Sequence, residues 1–127
     1  MIWNMLQEVK AKLSDLQVKS LAIGLETGIG SKDCPFIRIV PARFKRDSYE
    51  YVMDMQIVFG VDVKNRAYED AYQEYFIWEK AIRETLEAGI PSANCIWLET
   101  ITDEDRVRNL KTGISIFSLM GMVDDQD

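Results

Sequence analysis

Glu79 is the residue of this sequence most suggestive of chemistry, because it falls where a carboxylate is costly. In a helix over residues 66 to 88, the apolar stripe is Tyr68, Ala71, Tyr72, Tyr75, Phe76, Ile82 and Leu86. Glu79 points into the middle of that stripe, between Tyr72, Tyr75 and Leu86. An ionised group in apolar surroundings needs a partner. One candidate is Arg83, four residues on, if Glu79 escapes to a sheet edge. The other is a group on a second subunit, in which case Ile77, pointing the opposite way, also sits at a contact. Acid–base catalysis by Glu79 or Glu99 would need a second titratable group beside it, and the sequence suggests none.

A second concentration is cationic. Arg38, Arg43, Lys45 and Arg46 flank one predicted hairpin, with Phe36 and Phe44 among them. Three readings fit: a solvated hairpin tip, a contact with an acidic protein surface, or a stacking platform for nucleic acid. The net charge of −6 weighs against the last, so no direct specific nucleic-acid ligand is expected. Gly24, Gly28 and Gly30 match neither dinucleotide nor phosphate-loop spacing, and a strand follows them, so they read as a hairpin loop. Asp103, Glu104 and Asp105 would need a glycine sixth and a glutamate twelfth to form a calcium loop. Arg108 and Ile114 stand there, so a solvated turn is expected.

The sequence contains no histidine, which removes the commonest general base and metal ligand. Cys34 and Cys95 lack metal spacing and read as reduced, half-buried thiols. They could pair only if two strand starts are neighbours. We expect no enzyme, cofactor or metal. No 18-residue apolar run exists, and Gln7, Glu8, Lys10 and Lys12 interrupt any signal-like segment, so a cytoplasmic protein without a membrane partner is expected.

The elements that must position these residues follow from periodicity. Residues 2 to 16 read as an amphipathic helix. Weak strand character covers 18 to 26, and a strand covers 36 to 44, where Pro41 predicts an edge or a bulge. Residues 49 to 63 alternate strictly. Tyr49, Tyr51, Met53, Met55, Ile57, Phe59, Val61 and Val63 share one face, and the connection over 45 to 48 makes a hairpin. Asn65 is the expected N-cap of the long helix, and Gly89 and Pro91 should end it. Strands over 95 to 102 and 110 to 121 follow. A phase shift between Ile116 and Phe117 predicts a bulge. The fold class is α+β. A mainly antiparallel sheet of four to five strands carries two helices on one face, in the order α-β-β-β-α-β-β. A single domain spans 1–123, and an acidic tail, 124–127, should fray.

The long strand also raises a question of size. It spans roughly 50 Å, against about 35 Å for a domain of 127 residues. The hairpin should therefore overhang the body, exposing Tyr49, Tyr51 and Met53 unless another subunit covers them.

That order of elements resembles the small tail terminator, or tail-completion, proteins of long-tailed bacteriophages and their relatives at the head–tail joint. The similarity lies in the leading helix with VKAKL and LSDL, the strands FIRIVPARF and YEYVMDMQIVFGVDV, the helix AYEDAYQEYFIWEKAI, and the final pair CIWLETIT and GISIFSLMG. It covers essentially the whole chain, as a pattern of elements without a residue motif. The resemblance implies a ring, often a hexamer, that ends tube growth. Its partners would be itself, the tail tube protein and head–tail connector proteins. It would act in the host bacterial cytoplasm during assembly and then in the virion tail. The expected contact residues are Arg43, Lys45, Arg46, Tyr49, Tyr51, Met53, Ile77 and Glu79. The alternative is a small-molecule or peptide-binding module holding its ligand on the sheet face among Trp97, tyrosines and methionines.

Overall fold

The computed structural model describes residues 2–26, 28–47, 49–102 and 109–122. Helix α1 spans Ile2–Leu13 and tightens into one more turn, Ser14–Leu16. Strand β1 (Ser20–Ile23) follows, then β2 (Phe36–Asp47), β3 (Glu50–Asp62), helix α2 (Tyr68–Glu87), β4 (Ala93–Thr102) and β5 (Leu110–Met122). The sheet order is β1-β2-β3-β5-β4. β1 runs parallel to β2 and every other pair is antiparallel, so the α+β expectation is met by a mixed five-stranded sheet.

The parallel β1–β2 pair corrects the reading of the glycine segment. Residues 24–35 are a crossover connection, not a hairpin loop. Parallel neighbours need a long return path, whereas a hairpin needs only a tight turn. The connection folds back over the sheet face away from the helices, where Ile29 and Cys34 pack against Phe36, Val58 and Leu110.

Period-two alternation builds the main core. Met53, Met55, Ile57, Phe59 and Val61 of β3 all face the helices and are buried, with Ile37 and Ile39 of β2 and Phe117 and Leu119 of β5 beside them. Helix α1 contributes Met5, Leu6, Val9 and Leu13. The Tyr75 ring stacks on Phe59 at 4.9 Å. Its hydroxyl lies over Gly113, where a Cβ would overlap it, so β5 carries glycine at that point. Lys111, also buried, places Nζ 4.4 Å from the centroid of the Tyr72 ring.

Several boundaries differ from expectation. Helix α2 begins at Tyr68 with Ala67 as N-cap, and no side chain caps it. Asn65 instead adopts a left-handed conformation, φ 63°, in the turn leaving β3, a conformation asparagine tolerates better than most residues. Gly89 does end the helix, at φ 90°, and its N–H donates to the Leu86 carbonyl at 2.8 Å. The residues of α2 that reach the core are Ala71, Tyr75, Glu79, Ile82 and Leu86. That arc is narrow. Phe76 lies about 100° around the helix from its centre at 3.6 residues per turn, and both Phe76 and Tyr68 are more than half exposed.

The two bulges can be placed. One interrupts β2 between Pro41 and Arg43, where β2 passes the end of β1 and becomes an edge strand. A residue without an N–H fits there. The other is not in β5. Strand β5 pairs with β3 without a shift, and the irregularity lies across from Ile116 and Phe117, between Trp97 and Glu99 of β4. The phase change in β5 has a simpler cause. Ile114 and Ile116 face away from the helices, while Phe117 and Leu119 face toward them.

Candidate interaction surface

The expected contact residues divide into three groups. Arg43, Lys45, Arg46 and Tyr49 are exposed near the hairpin tip, Tyr49 at 79%. Ile77 is likewise exposed on α2. Tyr51 is half-buried. Met53 and Glu79 are corrections, because neither is available to a partner. Met53 is 0% exposed. The overhang argument assumed a two-stranded hairpin, but β5 lies alongside β3 for all of its 13 residues, to the Glu50–Met122 pair. This third strand, with α1 above, buries Met53 inside the protomer.

Glu79 belongs to a closed network. Its carboxylate accepts from Arg83 Nε at 3.1 Å and Nη2 at 3.2 Å, and from Thr100 Oγ1 at 3.0 Å. Thr100 Oγ1 accepts from Trp97 Nε1 at 3.0 Å and lies 2.9 Å from Ser115 Oγ. A hydroxyl has one proton. Thr100 uses it on the carboxylate, so Ser115 must be the donor to Thr100. The Arg83 guanidinium stacks 5.0 Å from the centre of the Trp97 ring. Glu79 is therefore satisfied within its own subunit, by the Arg83 pair and by β4, and this network fastens α2 to the outermost strand. Glu99, one position along, pairs with Ile116 in register, while Thr100 pairs with Ser115. It thus lies on the opposite face from Glu79, and the two carboxylates do not form a pair.

The cation cluster also breaks up. Arg38 is buried on the non-helical face. It donates to Glu26 Oε1 from Nη2 at 2.6 Å and from Nε at 2.9 Å, and to Ser20 Oγ and the Ser20 carbonyl at 2.7 and 3.0 Å. This bond holds the Glu26 carboxyl below its ordinary value. Arg38 ties the crossover to β1 and β2 and takes no part in the hairpin tip. Arg43 pairs with Asp54 at 3.1 Å. Asp103, Glu104 and Asp105 lie outside the described residues, as does the tail. Among the described residues no group of acidic or cysteine side chains is placed to hold a metal, and no helix is long and apolar enough to cross a membrane.

Cys34 and Cys95 are both free thiols. They lead into β2 and lie on β4, three strand spacings apart, roughly 14 Å across the sheet. Burial pushes each thiol up to about 11. Neither is a ready nucleophile at neutral pH.

The surface that periodicity missed is β4. Ile96, Leu98 and Ile101 are 48%, 53% and 49% exposed, on a strand whose outer side has no neighbour in the sheet. Phe76 is similarly exposed on α2, which covers the inner side of this strand. The signal was present in CIWLETIT. Apolar residues occupy both parities, which a strand with one buried face does not need. At the opposite edge, Trp3 on α1, Leu25 after β1 and Phe44 on the free half of β2 are also more than half exposed. A groove of about 540 Å³ runs there between α1 and β1, lined by Trp3, Gln7, Lys10, Leu21 and Ile23 among others. No protein-family model matches the sequence, and no curated protein matches it significantly.

Proposed function

We propose that this chain is a structural assembly protein of a phage or prophage tail. It acts as a terminator that forms a ring, caps the tail tube and meets the head–tail joint. One observation carries the reading: exposed apolar side chains collect at two opposite edges of a single sheet, Ile96, Leu98 and Ile101 at one and Trp3, Leu25 and Phe44 at the other. Two different sticky edges on one protomer favour head-to-tail contacts, and such contacts close into rings when the rotation between subunits allows. The order of elements agrees with the terminator pattern. The ring acts in the host cytoplasm and remains in the finished tail.

Light scattering on protein separated by size, from low to high micromolar concentration and at several salt levels, tests the assembly. A discrete hexamer-sized species, or a monomer-to-ring shift with concentration, is the expected result. Added to polymerising tail tube protein, the chain should arrest tube growth. Tubes that lengthen unchanged would count against a terminator. The ligand-binding alternative loses its expected site. The sheet face that holds Met53 and Met55 is filled by the two helices, and Trp97 is engaged with Thr100 and Arg83.

A further inference from the structure

We infer that the sheet face turned away from the helices is a two-fold contact, covered by the same face of a second copy of this chain. This contact goes beyond the ring reading and does not depend on it. It is centred on β3 and β5, inside the rims of the sheet that carry that reading.

An antiparallel sheet with helices on one face and solvent on the other alternates apolar in, polar out. Here the outer face is apolar too. Strand β5 turns Ile114, Ile116 and Met120 away from the helices, β4 turns Ile96 and Ile101, and β3 turns Val52. All six are half-buried or exposed. Among the described residues, the crossover covers only one end of this face, over Phe36, Val58 and Leu110. The rest is an apolar field that a monomer would leave in water.

The field has the dimensions of a sheet. Strands β2, β3, β5 and β4 run side by side over the 10 residues of β4. At the usual strand spacing and rise that makes a face of roughly 19 Å by 33 Å, about 600 Å² in projection. Each partner in a standard interface contributes ~800 Å² of accessible surface, a comparable size. A single helix, about 10 Å across, would cover only half the width. A second sheet covers it whole, because sheets pack face to face with interdigitated side chains.

Charge favours a second copy and sets its orientation. Apart from the buried Arg38, these rows carry Arg43 and Lys45 on β2, Glu99 on β4, and on β3 Asp54, which Arg43 already holds. Cations thus lie at one border of the face and a carboxylate at the other. A two-fold axis across the strands would set β2 on β2 and β4 on β4, like charge on like. An axis along the strands, between β3 and β5, sets β2 of each copy over β4 of the other. Glu99 is level with Ile116, and Arg43, through Asp54, with Ser118. The two are therefore only two residues apart along the strands, roughly 7 Å, within reach of an arginine side chain. Opposite charges meet at both borders, and the apolar middle closes on itself.

Ile116→Lys, at the middle of the face, and Glu99→Lys, exposed at its border, test this. Circular dichroism and thermal melting confirm that each variant is folded. Mass is read by light scattering on protein separated by size, at tens of micromolar. The wild type should hold an even number of copies. Ile116→Lys should halve its mass, from dimer to monomer or from two stacked rings to one. Glu99→Lys should weaken the contact about 10-fold, and adding Arg43→Glu to it should restore most of the loss, because the two charges then exchange places across the axis. Should Ile116→Lys fail to fold, the charge exchange decides alone. A monomeric wild type, an Ile116→Lys mass equal to the wild type's, or a double variant no tighter than Glu99→Lys would each overturn the face-to-face contact. A hexamer unchanged by Ile116→Lys would overturn it and leave the ring reading standing. A dimer that neither grows with concentration nor arrests tail tubes would support it and overturn the ring.

Discussion

The hairpin tip and the β4 edge are the two extremities of this sheet, and they solve the same problem differently. The tip is long and strongly patterned, yet its apolar face is largely covered from within, by β5 on one side and α1 above. What remains outside is Tyr49, Phe44 and a set of charged side chains, with Arg43 paired to Asp54. The β4 edge is shorter and weakly patterned, and it leaves Ile96, Leu98 and Ile101 half exposed. Each outer edge of the sheet is rooted by one buried charged side chain. Arg38 holds the crossover and β1 to β2, and Glu79 holds β4 to α2. Strand length is thus a poor guide to where apolar surface survives folding. The presence of a neighbouring strand decides it.

The comparison breaks most sharply at Met53. If the tip is internal, Met53→Ala should destabilise the protomer by about 2–5 kcal/mol in urea denaturation, the usual cost of a cavity at a fully buried site. Tyr49→Ala, exposed at the same tip, should move stability by no more than about 0.5 kcal/mol. Similar losses for both would mean that the tip is covered by something outside the protomer. The next largest effect concerns the other root. Glu79→Ala leaves the Thr100 hydroxyl without its acceptor and Arg83 without its pair. A loss of about 1–3 kcal/mol is expected. Hydrogen exchange should rise in β4 before it rises in β3, since the network fastens the outer strand. Uniform loosening across the sheet would show that Glu79 supports the core in general and has no special hold on the edge.

How much of this was legible in sequence follows the same division. The inward face of β3 was readable residue by residue, because a two-residue period over 13 positions has one interpretation. Gly89 marked the end of α2 because helix ends favour a residue that takes positive φ without strain. Glu79 was found by its conflict with the stripe, and Arg83 by its spacing. Thr100 was invisible as its partner, 21 residues away, and Ser115 lies a further 15 beyond Thr100, where only the β4–β5 register brings it in. Arg38 looked like one of four hairpin cations, since nothing local announces that Glu26 and Ser20 will close over it. The bulge was assigned to β5 because apolar residues on both faces resemble a phase error. An outer face with its own apolar content was the alternative, and it required knowing what lies across the sheet.

The smallest expected effect distinguishes the two roots by pH. The Arg38 guanidinium holds the Glu26 carboxyl below its ordinary value, while Glu26 itself stays at the surface. A carboxyl depressed in the folded state stabilises it at pH values above the unfolded pKa. That contribution fades as pH falls through the folded pKa, because the folded protein resists taking the proton that the unfolded chain accepts. Melting temperature measured from neutral pH down through the acid range should therefore decline less steeply in Glu26→Gln than in the wild type, with the curves converging at the acid end. Solvent around Glu26 keeps the difference modest. Parallel curves would mean that Arg38 is held by Ser20 and its own strand alone. The crossover would then be free to move off β1.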